Sequence, residues 1–240
     1  MSETLHSATE LLQLVASSAI SPEEFERELW ALSEGHRRRG RIYKSGDVRI
    51  YRTRIWPGPE RPKSAADLSY PPKHATHLNR ANLEGEPVFY ASAALPPSFV
   101  ECRLEKGQHV VCSEWRNTID LILQEVGMLA DGKTSDDVER IYHEIFTSTD
   151  PAMYTFSARV ARHLLSGGSI SGLIYKSIAA QNASENLALK TGFVDAGLRL
   201  VNTSMYYIKD SSVALHKYVD LLMSVTYSAR LCHVEPPKLS

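Results

Sequence analysis

The N-terminal segment of the chain places its apolar residues at helical spacing. Over residues 5–16 they recur three and four positions apart, which predicts an amphipathic helix. Ser21 and Glu24 then stand in capping-box spacing with a proline between them, and this predicts the start of a second helix. The apolar positions of 25–32 continue that helix. We therefore expect an N-terminal helical pair.

From Val48 onward the pattern changes from helical to alternating. Val48–Trp56 alternates apolar and polar residues, which predicts a strand with one buried face. Shorter segments with the same strand signals follow at Val88–Ala91, His109–Trp115, Ile119–Gln124, Leu173–Tyr175, Leu187–Leu189 and Leu198–Ile208. Val213–Met223 also favours a strand, with a helix as the alternative.

Helical segments are interleaved with these strands. Pro96 opens a short helix that carries Phe99 to Leu104, a helix over Thr134–Ser148 starts at a capping-box spacing, and another covers Ala152–Leu165. Between the first two strands, Pro57–Pro72 predicts a long loop. Because strands and helices do not alternate strictly, we expect an α+β fold with a mixed or antiparallel sheet, not a doubly wound one. We expect an N-terminal extension over 1–44 and one domain over 45–235.

The charge and the apolar content of the chain exclude several classes of partner and location. Its 240 residues include 27 Lys and Arg against 28 Asp and Glu, a formal net charge of −1, which excludes a strongly basic nucleic-acid scaffold. The basic run Arg37–Arg39 is read as a helix C-terminus, where cations are favoured. No apolar run reaches the roughly 20 residues of a membrane span, and the acidic N-terminus lacks the basic start of a signal peptide. These features predict a cytoplasmic protein.

The sequence contains few candidate residues for metal binding or for thiol chemistry. Cys102, Cys112 and Cys232 are far apart and in no CxxC spacing, which favours a reducing compartment over a disulfide framework. His74 and His77 have no carboxylate nearby, so we expect no metal site. Cys102 is interpreted as a small core residue and not as a nucleophile.

Five short segments carry more information in their order than any of them carries alone. They are Tyr51-Arg52, the run NRANLEGEPVFY over 79–90, FVECR over 99–103, GLIYKS over 172–177 and Asn186-Leu187. Together they resemble the RES-domain family, named for characteristic Arg, Glu and Ser residues, over about Val48 to Leu189. The resemblance implies an α+β fold similar to that of NAD-dependent ADP-ribosyltransferase toxins.

The same resemblance implies an activity and partners. Characterised members are bacterial toxins that consume NAD as a substrate by hydrolysis or phosphorolysis, and some ADP-ribosylate a protein. Many are paired with an Xre-type antitoxin that plugs the active site. We therefore expect NAD as substrate, no separate cofactor, and an antitoxin or immunity protein as partner. The N-terminal helices lie outside the match, and three roles stay open for them: replacing a partner contact, forming a homodimer, or connecting to a delivery module.

Carried onto this chain residue by residue, the family pattern marks a candidate site. Arg52 matches the Arg of the first strand, Arg80 the Arg of the R-x-N segment, and Tyr90 the Tyr that follows it. Glu101 matches the characteristic Glu, and Ser177 the Ser after the G-x-x-Y strand. The resemblance makes Glu101, Arg52 and Ser177 the catalytic candidates.

Further positions complete the implied binding set. A family hydroxyl at the start of the preceding helix corresponds to Thr155 or Ser157, so the identity of the characteristic Ser stays open. Asn186 resembles an Asn that is common downstream. The candidates for binding NAD are therefore Arg52, Arg80, Tyr90, Thr155, Ser157 and Asn186.

The chemistry of NAD suits these residue types. Guanidinium groups bind pyrophosphate oxygens bidentately, and the ring of Tyr90 can stack on the cationic nicotinamide. Cleavage of the nicotinamide–ribose bond builds an oxocarbenium-like cation, which the carboxylate of Glu101 would stabilise. The hydroxyl of Ser177 would position the ribose or the attacking acceptor. We expect the two guanidinium groups, the phenol and the carboxylate to converge in one cleft.

Each residue also has an ordinary structural explanation. Arg52 fits an exposed strand face, Arg80 fits a turn, and Tyr90 fits packing at a strand end. Glu101 fits a solvated helix face, although its apolar neighbours favour burial, and Ser177 fits local backbone bonding. The resemblance favours a NAD-degrading toxin that uses water or phosphate as acceptor. A protein ADP-ribosyltransferase is the first alternative, and a non-catalytic interaction module of the same fold is the second.

Overall fold

The computed structural model of the chain describes residues 6–36, 38–128, 136–180 and 184–208. In chain order the helices are α1 (Ala8–Ala16), α2 (Pro22–Leu32), α3 (Leu95–Glu101), α4 (Asp137–Thr147), α5 (Tyr154–Ser166) and α6 (Thr191–Gly197). The strands are β1 (Gly40–Tyr43), β2 (Arg49–Trp56), β3 (Val88–Ser92), β4 (His109–Asn117), β5 (Leu121–Glu125), β6 (Gly172–Lys176), β7 (Glu185–Lys190) and β8 (Leu198–Tyr207).

The chain divides into two compact units. The first unit consists of Met1–Arg41, Pro71–Val88 and Ile122–Lys176, and the second consists of Ile42–Tyr70, Phe89–Leu121 and Ser177–Ser240. Each unit takes segments from three separate parts of the sequence, so long-range contacts hold each one together.

Helix packing dominates the first unit. The N-terminal helices pack on later ones, α1 on α4 and α2 on α5. Phe25 of α2 meets Phe156 of α5 edge to face at 5.1 Å between ring centroids, and Arg159 donates to Glu26 at 2.9 Å. The strands β5 and β6 run parallel, with Leu123 paired to Gly172. Both predicted N-terminal helices are thus confirmed and form part of this core.

An antiparallel sheet dominates the second unit, with neighbouring strands in the order β7, β3, β2, β4, β8. β2 pairs with β4 along its full length, and β4 with β8. Helix α3 packs on β2 and contributes Phe99 to a buried cluster with Val110, Cys112, Tyr206 and Ile208. The α+β class with mixed and antiparallel strand pairing is confirmed.

Alternation along β2 decides which side chains face α3. Thr53 is hydrogen-bonded to Ser98 of α3, the two hydroxyl oxygens lying 2.7 Å apart, and Tyr51 packs against the cluster around Phe99. Since successive strand residues point to opposite faces, Arg52 and Arg54 leave β2 on the other face.

Several boundaries differ from the expectation. The helix predicted from Thr134 begins at Asp137, because the Asp136 side chain accepts hydrogen bonds from the N–H groups of Val138 and Glu139 and caps it. Thr134, Val213–Met223 and Cys232 lie outside the described residues. His109–Trp115 lies in β4, a strand that is buried on both faces over most of its length. The alternation of apolar and polar residues in this segment therefore does not separate a buried face from an exposed one.

Two further elements, β1 and α6, were not predicted. β1 lies beside β5, where Glu125 N–H donates to the Arg39 carbonyl at 3.0 Å. In α6, Gly197 fits closely against the side chain of Ile119. Both elements therefore depend on tertiary contacts and not on a local pattern.

The structure requires glycine at position 127. Gly127 has a φ of +58°, and a Cβ there would lie 2.6 Å from the backbone of His143. We expect Gly127→Ala to lower the free energy of unfolding by about 3 kcal/mol, from left-handed strain and overpacking together. Gly85 is the matched control, because it has a φ of +73° and a Cβ at that position would meet no atom within 4 Å.

For Gly85→Ala we expect only the backbone term, about 1 kcal/mol. Urea unfolding followed by circular dichroism measures both variants. Equal losses for the two substitutions would contradict the close approach at position 127.

Candidate active site

Helix α3 ends on the acidic side chain of Glu101. Two prolines in its first turn favour the helical start. Ser98 ties the helix down, since its hydroxyl donates to the Leu95 carbonyl at 2.7 Å and also contacts Thr53. This attachment to β2 fixes where the last residue of the helix projects.

One carboxylate oxygen of Glu101 accepts two hydrogen bonds. Ser177 Oγ donates to Oε1 at 2.5 Å, and Asn186 Nδ2 donates to the same oxygen at 2.6 Å. The other oxygen, Oε2, has no hydrogen-bond partner within the described part of the chain. Glu101 is exposed, so the burial suggested by its apolar neighbours is not observed. The result is a carboxylate fixed on one side and open on the other.

Both donors are themselves held. Ser177 follows β6, is fully buried, and accepts a hydrogen bond from the Ala180 N–H at 3.0 Å. Asn186 lies on β7, and its Oδ1 accepts from the hydroxyl of Ser92 at 3.0 Å. Every bond in this network runs towards Glu101, as an ionised, acceptor-only carboxylate requires.

Ser92 was not singled out by the sequence pattern. The only signal for it was a hydroxyl at the end of an otherwise apolar strand. Tyr90 precedes it by two residues on β3 and is half-buried. Since Ser92 pairs with Tyr51, strand alternation puts Tyr90 and Ser92 on the α3 face of the sheet. The structure thus groups Glu101, Ser177 and Asn186 and places Tyr90 on the same face.

Arg52 does not join this group. It pairs with Ser113 on the face of β2 opposite to α3, and its guanidinium carbon lies 5.3 Å from the centroid of the Phe89 ring. Nη1 donates to the Tyr90 carbonyl at 2.7 Å, while the buried Nε has no partner among the described residues. Within the described residues Arg52 thus forms no hydrogen bond with Glu101, Ser177 or Asn186, and its convergence with Glu101 in one cleft stays a prediction.

The electrostatics of Arg52 are unusual for a surface cation. Burial, with repulsion from Arg54, lowers the pKa of Arg52 to about 10, so that it still carries its charge at neutral pH. Arg54 donates to the Asp67 carbonyl at 2.7 Å and anchors the loop after β2. A half-buried cation held by a carbonyl and a ring retains positive potential for an anion.

Arg80 lies in the first unit and is buried. Its guanidinium donates to the carbonyls of Phe146, at 2.5 Å, and Ser148, at 3.0 Å. It also lies 4.9 Å from the centroid of the Tyr154 ring. The two carbonyls end helix α4, where a cation satisfies unpaired acceptors and the helix dipole. Arg80 therefore has a structural role as a helix cap, whatever else it binds.

Thr155 and Ser157 lie in the first turns of α5. Ser157 is fully buried, and its hydroxyl donates to the Tyr154 carbonyl at 3.3 Å. Thr155 is half-buried. Of the two hydroxyls that the resemblance marked, Thr155 is the more accessible.

Cys102 and Cys112 lie in surroundings that favour the protonated thiol. Cys102 Sγ donates to the Thr53 carbonyl at 3.0 Å. Burial raises the pKa of Cys102 to about 12 and that of Cys112 to about 11. A thiol protonated at neutral pH is a poor nucleophile. Within the described residues, no group of three His, Cys, Asp or Glu side chains could hold a metal ion.

A comparison with protein-family models matches the RES domain over residues 49–207, about two thirds of the 240-residue chain. The chain belongs to the RES-domain family. Membership indicates a toxin-like, NAD-related function. No curated protein sequence matches the chain. None of the described helices has the length and apolarity needed to cross a membrane.

The raised pKa values predict slow thiol modification. At pH 8, we expect iodoacetamide to alkylate Cys102 and Cys112 of the folded protein at least about a hundredfold more slowly than in urea, because few thiolates form. Peptide mapping by mass spectrometry assigns each site. Rapid alkylation of native Cys102 would show an ionised, accessible thiol and would reopen a nucleophilic role.

Proposed function

We propose that the protein degrades NAD by cleaving the bond between nicotinamide and ribose, with water or phosphate as the acceptor, and that it acts as a toxin. The observation that carries the proposal is the carboxylate of Glu101, held through Oε1 by two donors and open at Oε2. Family membership supplies the NAD-related class, and this geometry supports the specific reaction.

The reaction needs a fixed negative charge. When the bond between the ribose anomeric carbon and the nicotinamide nitrogen breaks, both electrons leave with nitrogen and neutral nicotinamide departs. Positive charge develops on the anomeric carbon and the ring oxygen of the ribose. A carboxylate beside that carbon stabilises the transition state more than the ground state, where the charge sits on the nicotinamide ring.

The hydrogen bonds from Ser177 and Asn186 supply preorganisation. Because both donors occupy Oε1, the carboxylate does not reorient as charge develops, and Oε2 remains for the ribose. The acceptor oxygen, from water or phosphate, then bonds to the anomeric carbon. Attacking water loses its proton to the solvent or to a base, which yields ADP-ribose, whereas phosphate yields the 1-phosphate.

In this proposal the remaining residues bind NAD. Tyr90 stacks on the nicotinamide ring, and Thr155 or Ser157 supplies a further hydroxyl. Arg52 and Arg80 attract the pyrophosphate, since their bonds within the described residues use one and two of five N–H donors. Arg52 acts as a half-buried cation next to the Tyr90 backbone.

The partners implied by the family belong to the proposal as well. An Xre-type antitoxin or an immunity protein would block the site, and the protein would act in the cytoplasm. A homodimer through the N-terminal helices, and the division of the chain at residues 44 and 45, remain predictions.

Glu101→Gln tests the catalytic step. We expect nicotinamide release from NAD, followed by liquid chromatography, to fall about 10²–10³-fold, since the amide keeps the shape and loses the charge. Glu105→Gln is the matched control, because Glu105 is exposed, lies four residues away, and its carboxylate forms no hydrogen bond or ion pair within the described residues. Its rate should stay within about twofold of the wild type. Release by Glu101→Gln at the wild-type rate would overturn the mechanism.

Identification of the second product separates the acceptors. With phosphate present or absent, we expect mass spectrometry to find ADP-ribose or its 1-phosphate in an amount equal to the nicotinamide released. Labelled NAD incubated with cell lysate should give no labelled protein. A labelled band would instead favour the ADP-ribosyltransferase alternative, and no nicotinamide at all would favour the non-catalytic one.

A further inference from the structure

We propose that Ser92 is a positioning residue for Glu101 and acts on it through Asn186. Within the described residues Ser92 forms no hydrogen bond with Glu101, and in the proposed reaction it does not bind the substrate. Its hydroxyl donates to Asn186 Oδ1 at 3.0 Å, and Asn186 Nδ2 donates in turn to Glu101 Oε1 at 2.6 Å. The inference rests on the proposed function, since it concerns the orientation of the carboxylate assigned there.

The carboxylate of Glu101 determines which group donates and which accepts in the two hydrogen bonds that link it to Ser92 through Asn186. An ionised carboxylate only accepts, so Asn186 must present its NH₂ group to Glu101 and its oxygen to the other side. That oxygen needs a donor, because a buried amide oxygen without one loses the hydrogen bond that water would give it. Ser92 is the donor, and it is 3% exposed while Asn186 is 8% exposed. The amide is therefore held at both ends.

The fold brings the two residues together across neighbouring strands. Ser92 is the last residue of β3, and Asn186 is the second residue of β7, 94 positions later. Just beyond Ser92, the Ala93 N–H donates to the Glu185 carbonyl at 3.1 Å. This backbone bond sets the register that puts the hydroxyl opposite the amide. A register-fixed donor is suited to hold a side chain against rotation.

The consequence of losing the Ser92 hydroxyl should be limited and specific. Asn186 could then rotate about its terminal torsion, and the Nδ2–Oε1 contact would lengthen, while Ser177 would still hold the same oxygen. The carboxylate would remain charged and accessible but less firmly oriented. Such a change affects the transition state more than substrate binding, so it should lower kcat and leave KM unchanged.

The kinetic test uses nicotinamide release by Ser92→Ala. We expect kcat to fall about tenfold, the scale on which loss of an outer-shell partner acts, with KM within about twofold of the wild type. Ser92→Thr keeps the hydroxyl and should recover most of the lost kcat. Ser171→Ala is the matched control, since it also removes a buried hydroxyl bond, from Ile122 N–H at 3.1 Å, and should leave kcat unchanged.

A double-mutant cycle tests whether Ser92 acts through Asn186. In an Asn186→Ala background, Ser92→Ala should cause no further loss of kcat, because the residue that transmits the effect is already gone. Independent, multiplying losses would overturn the proposal. So would an unchanged kcat in Ser92→Ala, or a loss confined to KM.

A structural measurement tests the positioning role of Ser92 independently of the proposed function. The Asn186 side-chain amide, assigned by its absence in Asn186→Ala, is followed in ¹⁵N–¹H correlation spectra. Ser92→Ala should shift both amide protons and speed their exchange with water, and an unchanged signal would overturn the positioning role. If the wild-type protein released no nicotinamide, the proposed function would fail, and the amide signal alone would decide whether Ser92 fixes Asn186.

Discussion

The shared acceptor at Glu101 Oε1 is the contact on which the candidate site depends. Its two donors, Ser177 and Asn186, are buried, while the carboxylate that receives them is exposed. Ser177 and Asn186 follow Glu101 by 76 and 85 residues, so this oxygen joins α3 to two segments that are distant in the sequence. Buried donors without an acceptor are costly. The carboxylate therefore contributes to the stability of the second unit as well as to the proposed reaction.

Arg52 and Arg80 are held by neutral groups and not by opposite charges. Neither Arg52 nor Arg80 forms an ion pair with a carboxylate among the described residues. Each is held instead by backbone carbonyls and the face of an aromatic ring. Carbonyls satisfy hydrogen bonds without cancelling a full charge, so both side chains are fixed in place and keep their positive potential. A carboxylate partner would have neutralised that potential, and with it the attraction for a phosphate that the proposed function requires.

The sequence predicted most strands and helices because their periodicity is local, as in β2 and α2. It missed α6, a seven-residue helix with two glycines, because packing against Ile119 stabilises it. The motif order also marked Glu101, Ser177 and Asn186, whereas Ser92 and the faces of the sheet depend on strand register. The burial expected for Glu101 was wrong because neighbours along a helix point about 100° apart, and its apolar neighbours turn to other sides.

The geometry at Oε1 also explains why the proposed reaction requires a glutamate at position 101. With both hydrogen bonds on one oxygen, the carboxylate plane is set by Ser177 and Asn186, and Oε2 is directed by that plane. An aspartate at position 101 is shorter by one methylene, about 1.5 Å of reach. It could keep the two donors or present an oxygen at the same point outside, but it could not do both without moving α3. Because Ser98 fastens that helix to Thr53, such a movement would break this buried contact.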